Sequence, residues 1–354
     1  MEDARVGLVL DGRYRIEQRL GAGGMGVVYR AERVGLAKKV AVKFLHRSQA
    51  ASPNRRQRFE REAAAMSRLS HPNLVSIIDF GELDDTPYLV MELHEGDSLK
   101  KLLERGAIAP PRAVHIARQL LAGLDSAHAS GVVHRDLKPD NVLLLGAPGE
   151  ELVKVLDFGV AKLLDDDGRP SEISVMAGSL LGTAEYMSPE QVRCEAIDPR
   201  SDVYAVGILL YEMLTGMKPF SAERDLAVLR MQVEDAPVAP RALAPQITNQ
   251  LERVILRALE KDREARWKSA AAFAKALAGT SEGRASLTRA VTEPIAALVH
   301  ERTPLPRPAP RRRRRVWPWL IAIAIPIAFC AVGLAQHEGW IHLPLPPWLF
   351  GSKP

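Results

Sequence analysis

Residues 134–141 read HRDLKPDN, and sixteen positions after Asn141 stands Asp157, within KVLDFG at 154–159. The octet gathers a carboxylate, a cation and an amide into one polar loop, just ahead of the apolar, strand-like run NVLLL. A DFG tripeptide by itself is a common turn. Behind a strand, and downstream of such a loop, it supplies an aspartate fit to hold a metal ion.

Working upstream, Leu20 to Val28 read LGAGGMGVV, with Gly21, Gly23 and Gly26 in GxGxxG spacing. Glycines let backbone N–H groups approach phosphates without a side chain in the way. The pattern also marks dinucleotide-binding folds, but there it opens a helix after a strand. Here it joins two strand-like runs, YRIEQRL and GVVYRAERV. A third run, KKVAVKFL, carries Lys43 among apolar neighbours, where a buried charge needs partners. A helix is expected from about Asn54 to Leu69, stopped by His71-Pro72-Asn73, and two more short strands, LVSIIDFGE and PYLVMEL, complete a sheet-rich part.

Beyond Gly96 the pattern turns helical. Pro110 to Ser130 has apolar residues at helical spacing. Asp202 to Thr215 is apolar nearly all round and predicts a central buried helix. Further helical stretches are expected at Ile247–Ala258 and Ser269–Ala278.

The bulk numbers set limits. A chain of 354 residues has room for one large two-part domain plus extras. The net charge of +5 equals the single run Arg311–Arg315, so the remainder is nearly balanced and no nucleic-acid partner is expected. Two cysteines, Cys194 and Cys330, stand far apart, which argues against a disulfide framework and for a reducing compartment. The N-terminus lacks the pattern of a signal peptide.

From about Gly279 to Pro310 the periodicity gives way to Pro, Arg, Ser and Thr, the composition of a flexible linker. Val316 to Ala335 then runs twenty residues without a charge, about 30 Å if helical, with Trp317, Trp319 and Trp340 near its ends. A buried core helix is the alternative, and the arginine block and preceding linker oppose it. The expectation is one transmembrane helix at 316–335, with the arginines and the N-terminal part in the cytoplasm and 336–354 a short outer tail. The domain plan is a leader at 1–13, a folded domain at 14–278, a linker at 279–315, and the span and tail.

The order Gly-rich loop, VAVK, HRDLKPDN, DFG and SPE (Ser188 to Glu190) resembles the protein-kinase signature set across about Tyr14 to Leu277. The wording GAGGMGVVY and GTAEYMSPEQ is similar to bacterial Hanks-type serine/threonine kinases, many of them single-pass membrane proteins. The resemblance implies an α+β, bilobal protein-kinase fold with a small β-rich N-lobe and a larger helical C-lobe. It also implies roles. Leu20, Gly21, Ala22, Gly23, Gly24, Met25, Gly26, Val27 and Val28 would cover ATP, and Lys43 would hold its phosphates. Lys43 would pair with a helix glutamate, Glu62 in preference to Glu60. Ala41 and Leu143 would sandwich the adenine, Met91 would stand as gatekeeper, and Glu92 and Leu93 would offer hinge backbone groups. Asn141 and Asp157 would hold Mg²⁺, Asp136 would accept the hydroxyl proton, and Lys138 would offset charge on the moving phosphoryl group. Lys138 and Thr183 match the serine/threonine rather than the tyrosine pattern.

Four further residues read as structural. Asp202 would tether the catalytic loop, Glu190 would pair with Arg266, and Arg135 would meet a phosphorylated activation loop. Candidate phosphosites are Ser171, Ser174, Ser179 and Thr183. SPE in place of APE and a somewhat long LGAPGEE stretch are the departures from the family pattern. Two rival functions remain, a membrane-tethered pseudokinase scaffold and a small-molecule phosphotransferase. The first is opposed by the presence of Lys43, Asp136 and Asp157, the second by an activation loop suited to protein acceptors. A homodimer is plausible by analogy with the family.

Overall fold

The computed structural model describes residues 3–23, 26–45, 63–158 and 184–286. Alternating residues near the N-terminus form strands β1 (Val9–Leu10), β2 (Tyr14–Gly23), β3 (Gly26–Arg33), β4 (Lys38–Leu45), β5 (Ile77–Leu83) and β6 (Thr86–Glu92). They pair antiparallel in the order β1-β2-β3-β4-β6-β5. Central β4 is buried on both faces, and the two-residue period sorts its side chains. Val40, Val42 and Phe44 join Leu10, Tyr14, Ile16, Tyr29 and Tyr88 in an outer cluster. Ala41 and Leu45 face inward into the main core, and Lys43 shares their side of the strand.

The stretch read as a leader is part of this sheet. Val9 and Leu10 pair with Arg15 and Tyr14, and Leu10 is 1% exposed. The Tyr29 hydroxyl donates to Asp3, the Tyr88 hydroxyl to Asp11, and the Arg5 guanidinium lies 4.5 Å over the Phe44 ring. The outer face is apolar and aromatic, and these residues are what cover it.

Residues 63–66 are helical, with Ala63 and Met66 buried, and the chain turns at 67–68, so this helix ends three residues before the expected Leu69; residues 54–62 of the expected helix lie outside the described residues. Below the sheet come β7 (Asp97–Ser98), β8 (Val142–Leu145) and β9 (Leu152–Val155), which pair in that order. Helices α1 (Leu99–Leu103), α2 (Pro110–Ala129), α3 (Pro189–Val192), α4 (Pro199–Thr215), α5 (Asp225–Glu234), α6 (Pro240–Leu243), α7 (Asn249–Ala258) and α8 (Ala270–Ala278) make up the larger lobe. α4 starts three residues earlier than its apolar run, because Asp198 caps it by accepting from the Arg200 N–H and Pro199 fits the first turn. It ends at Gly216, whose φ of 69° suits glycine. From Val203 to Leu214 every residue is buried, as expected of a helix at the centre of the lobe.

The folded part continues past the expected boundary at 278. Thr280 caps a last helix, α9 (Ser281–Ala285), by accepting from the Gly283 N–H, and buried Glu282 accepts from the Thr248 N–H at 3.1 Å. A Cβ on Gly283 would lie 2.0 Å from the Leu277 carbonyl oxygen, so this turn is pressed against α8. Polar capping residues carry this segment, which is why hydrophobic periodicity did not reveal it. Among the described residues no helix is long and apolar enough to cross a membrane; the expected span at 316–335 lies outside them.

Candidate active site

Lys43 is 7% exposed, and its Nζ sits 2.8 Å from Asp157 Oδ2. Register decides this meeting: Lys43 lies opposite Val28 on β3 and Leu89 on β6, at mid-strand, with Asp157 just past β9. Asp157 has a φ of 50° and Arg135 one of 65°, both in the left-handed region that costs an L-residue energy. Both residues stand in the loops that build the site.

Asp202 holds the Arg135 loop. It is 1% exposed, and its carboxylate accepts the N–H of His134 at 2.8 Å, the N–H of Arg135 at 3.0 Å and His128 Nε2–H at 2.7 Å. Burial alone would raise its pKa; the bond and charge of His128, with help from His134, hold it below the usual carboxylate value. His134 uses Nδ1 to accept from the Asp136 N–H at 3.2 Å, so Nε2 carries the hydrogen donated to the Leu156 carbonyl at 2.8 Å. The Phe158 ring packs 4.8 Å from the His134 ring, which joins the loop to the segment bearing Asp157.

Within the loop Asp136 Oδ2 lies 3.1 Å from Lys138 Nζ. The Asn141 amide nitrogen donates to the Asp136 carbonyl at 2.9 Å, which leaves its oxygen end as a ligand atom. Lys43, Asp157, Asn141, Asp136 and Lys138 thus come from β4, the end of β9 and the loop before β8. They supply hard oxygen donors beside two ammonium groups, a set suited to a magnesium-bound polyphosphate.

The slot beside them is apolar. Buried Ala41 pairs with Met91 across β4 and β6, Val28 packs against the core, and Leu143 lies on β8 opposite Lys154. Met91 lines a cavity with Met66, Leu69, Leu89, Asp157 and Phe158. The Glu92 N–H donates to the Ser76 carbonyl at 3.1 Å, so that N–H is not free for a ligand. The glycines divide by role. A Cβ at Gly21 or Gly23 would meet nothing within 4 Å, whereas at Gly26 it would lie 1.9 Å from the Phe44 carbonyl oxygen. Gly26 serves the packing of β3 on β4. Leu20 is exposed and Ala22 continues β2, Val27 is half-buried, and Gly24, Met25 and Glu62 lie outside the described residues.

Glu190 and Arg266 form a two-pronged ion pair, with both nitrogen–oxygen distances 2.8 Å and Arg266 wholly buried. Ser201 adds a third hydrogen bond to Glu190 at 2.6 Å. Gln191, which sequence reasoning passed over, donates from Nε2 to the Arg135 carbonyl at 2.7 Å and ties the SPE segment to the catalytic-type loop. Its signal was present: a glutamine three residues after Ser188 closes a capping box. Ser171, Ser174, Ser179 and Thr183 lie outside the described residues.

A family model described as "Protein kinase domain" matches residues 14–277. The chain belongs to the protein kinase domain family. It is 41% identical over 289 residues to the serine/threonine-protein kinase pkn2 of Myxococcus xanthus, covering 81% of this chain and 35% of that protein. To PknB of Mycolicibacterium smegmatis it is 38% identical over 281 residues, covering 78% of this chain and 44% of that one. The chain therefore spans less than half the length of these two curated relatives. Among solved structures, the Mycobacterium tuberculosis PknI kinase domain (a C20A_R136A double mutant) superposes with a TM-score of 0.62 at 26% identity, over 78% of this chain and 98% of that one. The kinase domain of this chain accordingly has the β-rich small lobe and helical large lobe of its family.

Proposed function

We propose that this chain is a serine/threonine protein kinase that moves the γ-phosphoryl group of ATP to protein hydroxyls. The observation that carries the reading is the meeting of Lys43 and Asp157 at 2.8 Å beside a loop where Asn141 is bonded to Asp136. Lys43 would hold the non-transferred phosphates, and Gly21 and Gly23 leave the approach to them open. Asn141 and Asp157 would hold Mg²⁺, which supplies charge neutralisation for the phosphates when bound. Asp136 orients the acceptor hydroxyl and takes its proton, and Lys138 balances negative charge next to it. Ala41, Val28 and Leu143 would enclose the base, with Glu92 offering its carbonyl and Met91 closing the back. The outlook for Glu62 as partner of Lys43 rests on its place in FEREAAAM.

Regulation follows the same reading: trans-autophosphorylation at Ser171, Ser174, Ser179 or Thr183 would give Arg135 an anionic partner. Residues 316–335 would anchor the kinase in the cell (inner) membrane, with Arg311–Arg315 and the kinase domain cytoplasmic and 336–354 outside, and a homodimer is compatible with trans-phosphorylation. The support for the anchor is the twenty-residue uncharged run beside the arginine block. A C-terminal tag digested by external protease in intact spheroplasts is the expected result; a protected tag sinks this topology.

The test of activity is transfer of labelled phosphate from ATP with Mg²⁺, by the full chain and its Asp136→Asn version. Label on Ser or Thr that vanishes in the variant supports the kinase. Nucleotide binding without label in either protein favours a scaffold.

A further inference from the structure

Gln232 on α5 is 0% exposed, and a buried glutamine must satisfy both ends of its amide. Its Nε2 donates to the Glu185 carbonyl at 2.7 Å and the Ala184 carbonyl at 3.3 Å. These are the first described residues after position 183, where they form a tight turn, Ala184–Tyr186. Its Oε1 accepts from the Tyr204 hydroxyl of α4 at 2.6 Å.

The direction of these bonds is fixed by Lys261. An ammonium group has three N–H donors and no acceptor. Lys261 Nζ meets three oxygens: the Gln232 carbonyl at 2.8 Å, the Met231 carbonyl at 3.1 Å and the Tyr204 hydroxyl at 3.2 Å. The two carbonyls belong to the last turn of α5, which has acceptors to spare and favours a cation. Burial pulls the Lys261 pKa down to about 8, so it stays cationic at neutral pH, and it sits 3.9 Å from the Phe220 ring centre. Because Lys261 only donates, the Tyr204 hydroxyl gives its own proton to Gln232 Oε1. The amide of Gln232 is thereby turned with its N–H groups toward the 184–186 turn.

That turn borders the reacting centre. Tyr186 and Met187 line one cleft together with Arg135, Asp136 and Leu137. On the far side Tyr186 donates to Glu212 at 2.7 Å and Lys218 pairs with Glu185 at 2.7 Å.

We propose that Gln232, oriented through Tyr204 by Lys261, is a positioning residue that sets the 184–187 segment as the surface on which a protein acceptor lies while its hydroxyl meets Asp136. The inference rests on the protein-kinase reading. It predicts that the relay acts on the acceptor and not on the nucleotide, whose groups lie on other elements.

The test compares the full chain with Gln232→Met, Gln232→Glu, Tyr204→Phe and Lys261→Met. Two readouts are used: steady-state kinetics with myelin basic protein as acceptor, and amide hydrogen exchange at residues 184–188. Gln232→Met lacks the donors, and Gln232→Glu keeps the acceptor for Tyr204 but not the donors. Both should raise the acceptor KM about tenfold, with the ATP KM within about twofold of the unaltered protein. Both should quicken exchange at 184–188 without quickening it in β4. Tyr204→Phe and Lys261→Met should give smaller changes of the same kind. Equal shifts in the two KM values, or none, overturn the proposal, and so does a Gln232→Glu variant that behaves like the unaltered protein. If the unaltered protein transfers no phosphate at all, the kinase reading fails instead. Exchange at 184–188 then decides the relay alone, and no local change in Gln232→Met sinks it.

Discussion

Asp202 and Arg135 are 67 residues apart in sequence, yet the carboxylate of one accepts the main-chain N–H of the other at 3.0 Å. The bond pins a residue with φ of 65°, next to Asp136. Replacing Asp202 with Asn keeps the shape but turns one acceptor into a donor facing the same N–H groups. Asp202→Asn should destabilise the fold by about 1–3 kcal/mol and lower kcat more than either KM. Urea unfolding and steady-state kinetics on the same samples check this.

Glu190 and Arg266 provide the clearest pH dependence. Burial works to raise the Glu190 pKa, but the hydrogen bonds and charge of Arg266, with Ser201, hold it below 4.5. A carboxyl depressed by folding contributes stability that is whole above its unfolded value and lost as pH falls through its folded value. Melting temperature should therefore drop as the solution is acidified below about 4.5, and Glu190→Gln should flatten part of that slope. At neutral pH, Arg266→Met leaves the buried carboxylate without its partner and should cost about 3–5 kcal/mol. Calorimetry across the acid range measures both.

The glycines at 21 and 26 should separate in their effects. Gly26→Ala places a methyl group against the Phe44 carbonyl and is expected to lower the melting temperature by several degrees. Gly21→Ala meets no protein atom within 4 Å, so stability should hold while the KM for ATP rises. Thermal scans beside ATP titrations distinguish them; equal melting temperatures would contradict the packing role of Gly26.

Leu10 tests whether the first residues belong to the kinase domain. It is 1% exposed within the outer aromatic cluster, and Leu10→Ala should cost about 2–5 kcal/mol in urea unfolding. A change below about 0.5 kcal/mol would return residues 3–13 to the status of a leader.

Much of this was legible in the chain itself. Strand and helix patterns gave β3, β4 and α2 nearly to the residue, and β2 and α4 to within three residues at one end, because these segments bury apolar side chains in a regular pattern. HRDLKPDN and DFG marked the polar loops, since few other reasons place such groups at that spacing. The sequence was silent on segments held by polar contacts. The fold of α9 depends on Thr280 and Glu282, and α5 shows little periodicity because Gln232 is buried on its apolar side.

By itself, then, the sequence determined the kind of chemistry: two ammonium groups, two aspartates and an amide in a fixed order along the chain. Only the tertiary structure decided which of them touch. Lys43 meets Asp157 because strand register carries one side chain inward, and a shift by one residue would send it to the outer face. The same holds for the relay from Lys261 to Glu185, whose members span 76 positions of sequence and meet only because α4, α5 and the 184–186 turn pack together. Local patterns report what each segment must bury; hydrogen-bond direction among buried polar groups exists only once the segments are assembled.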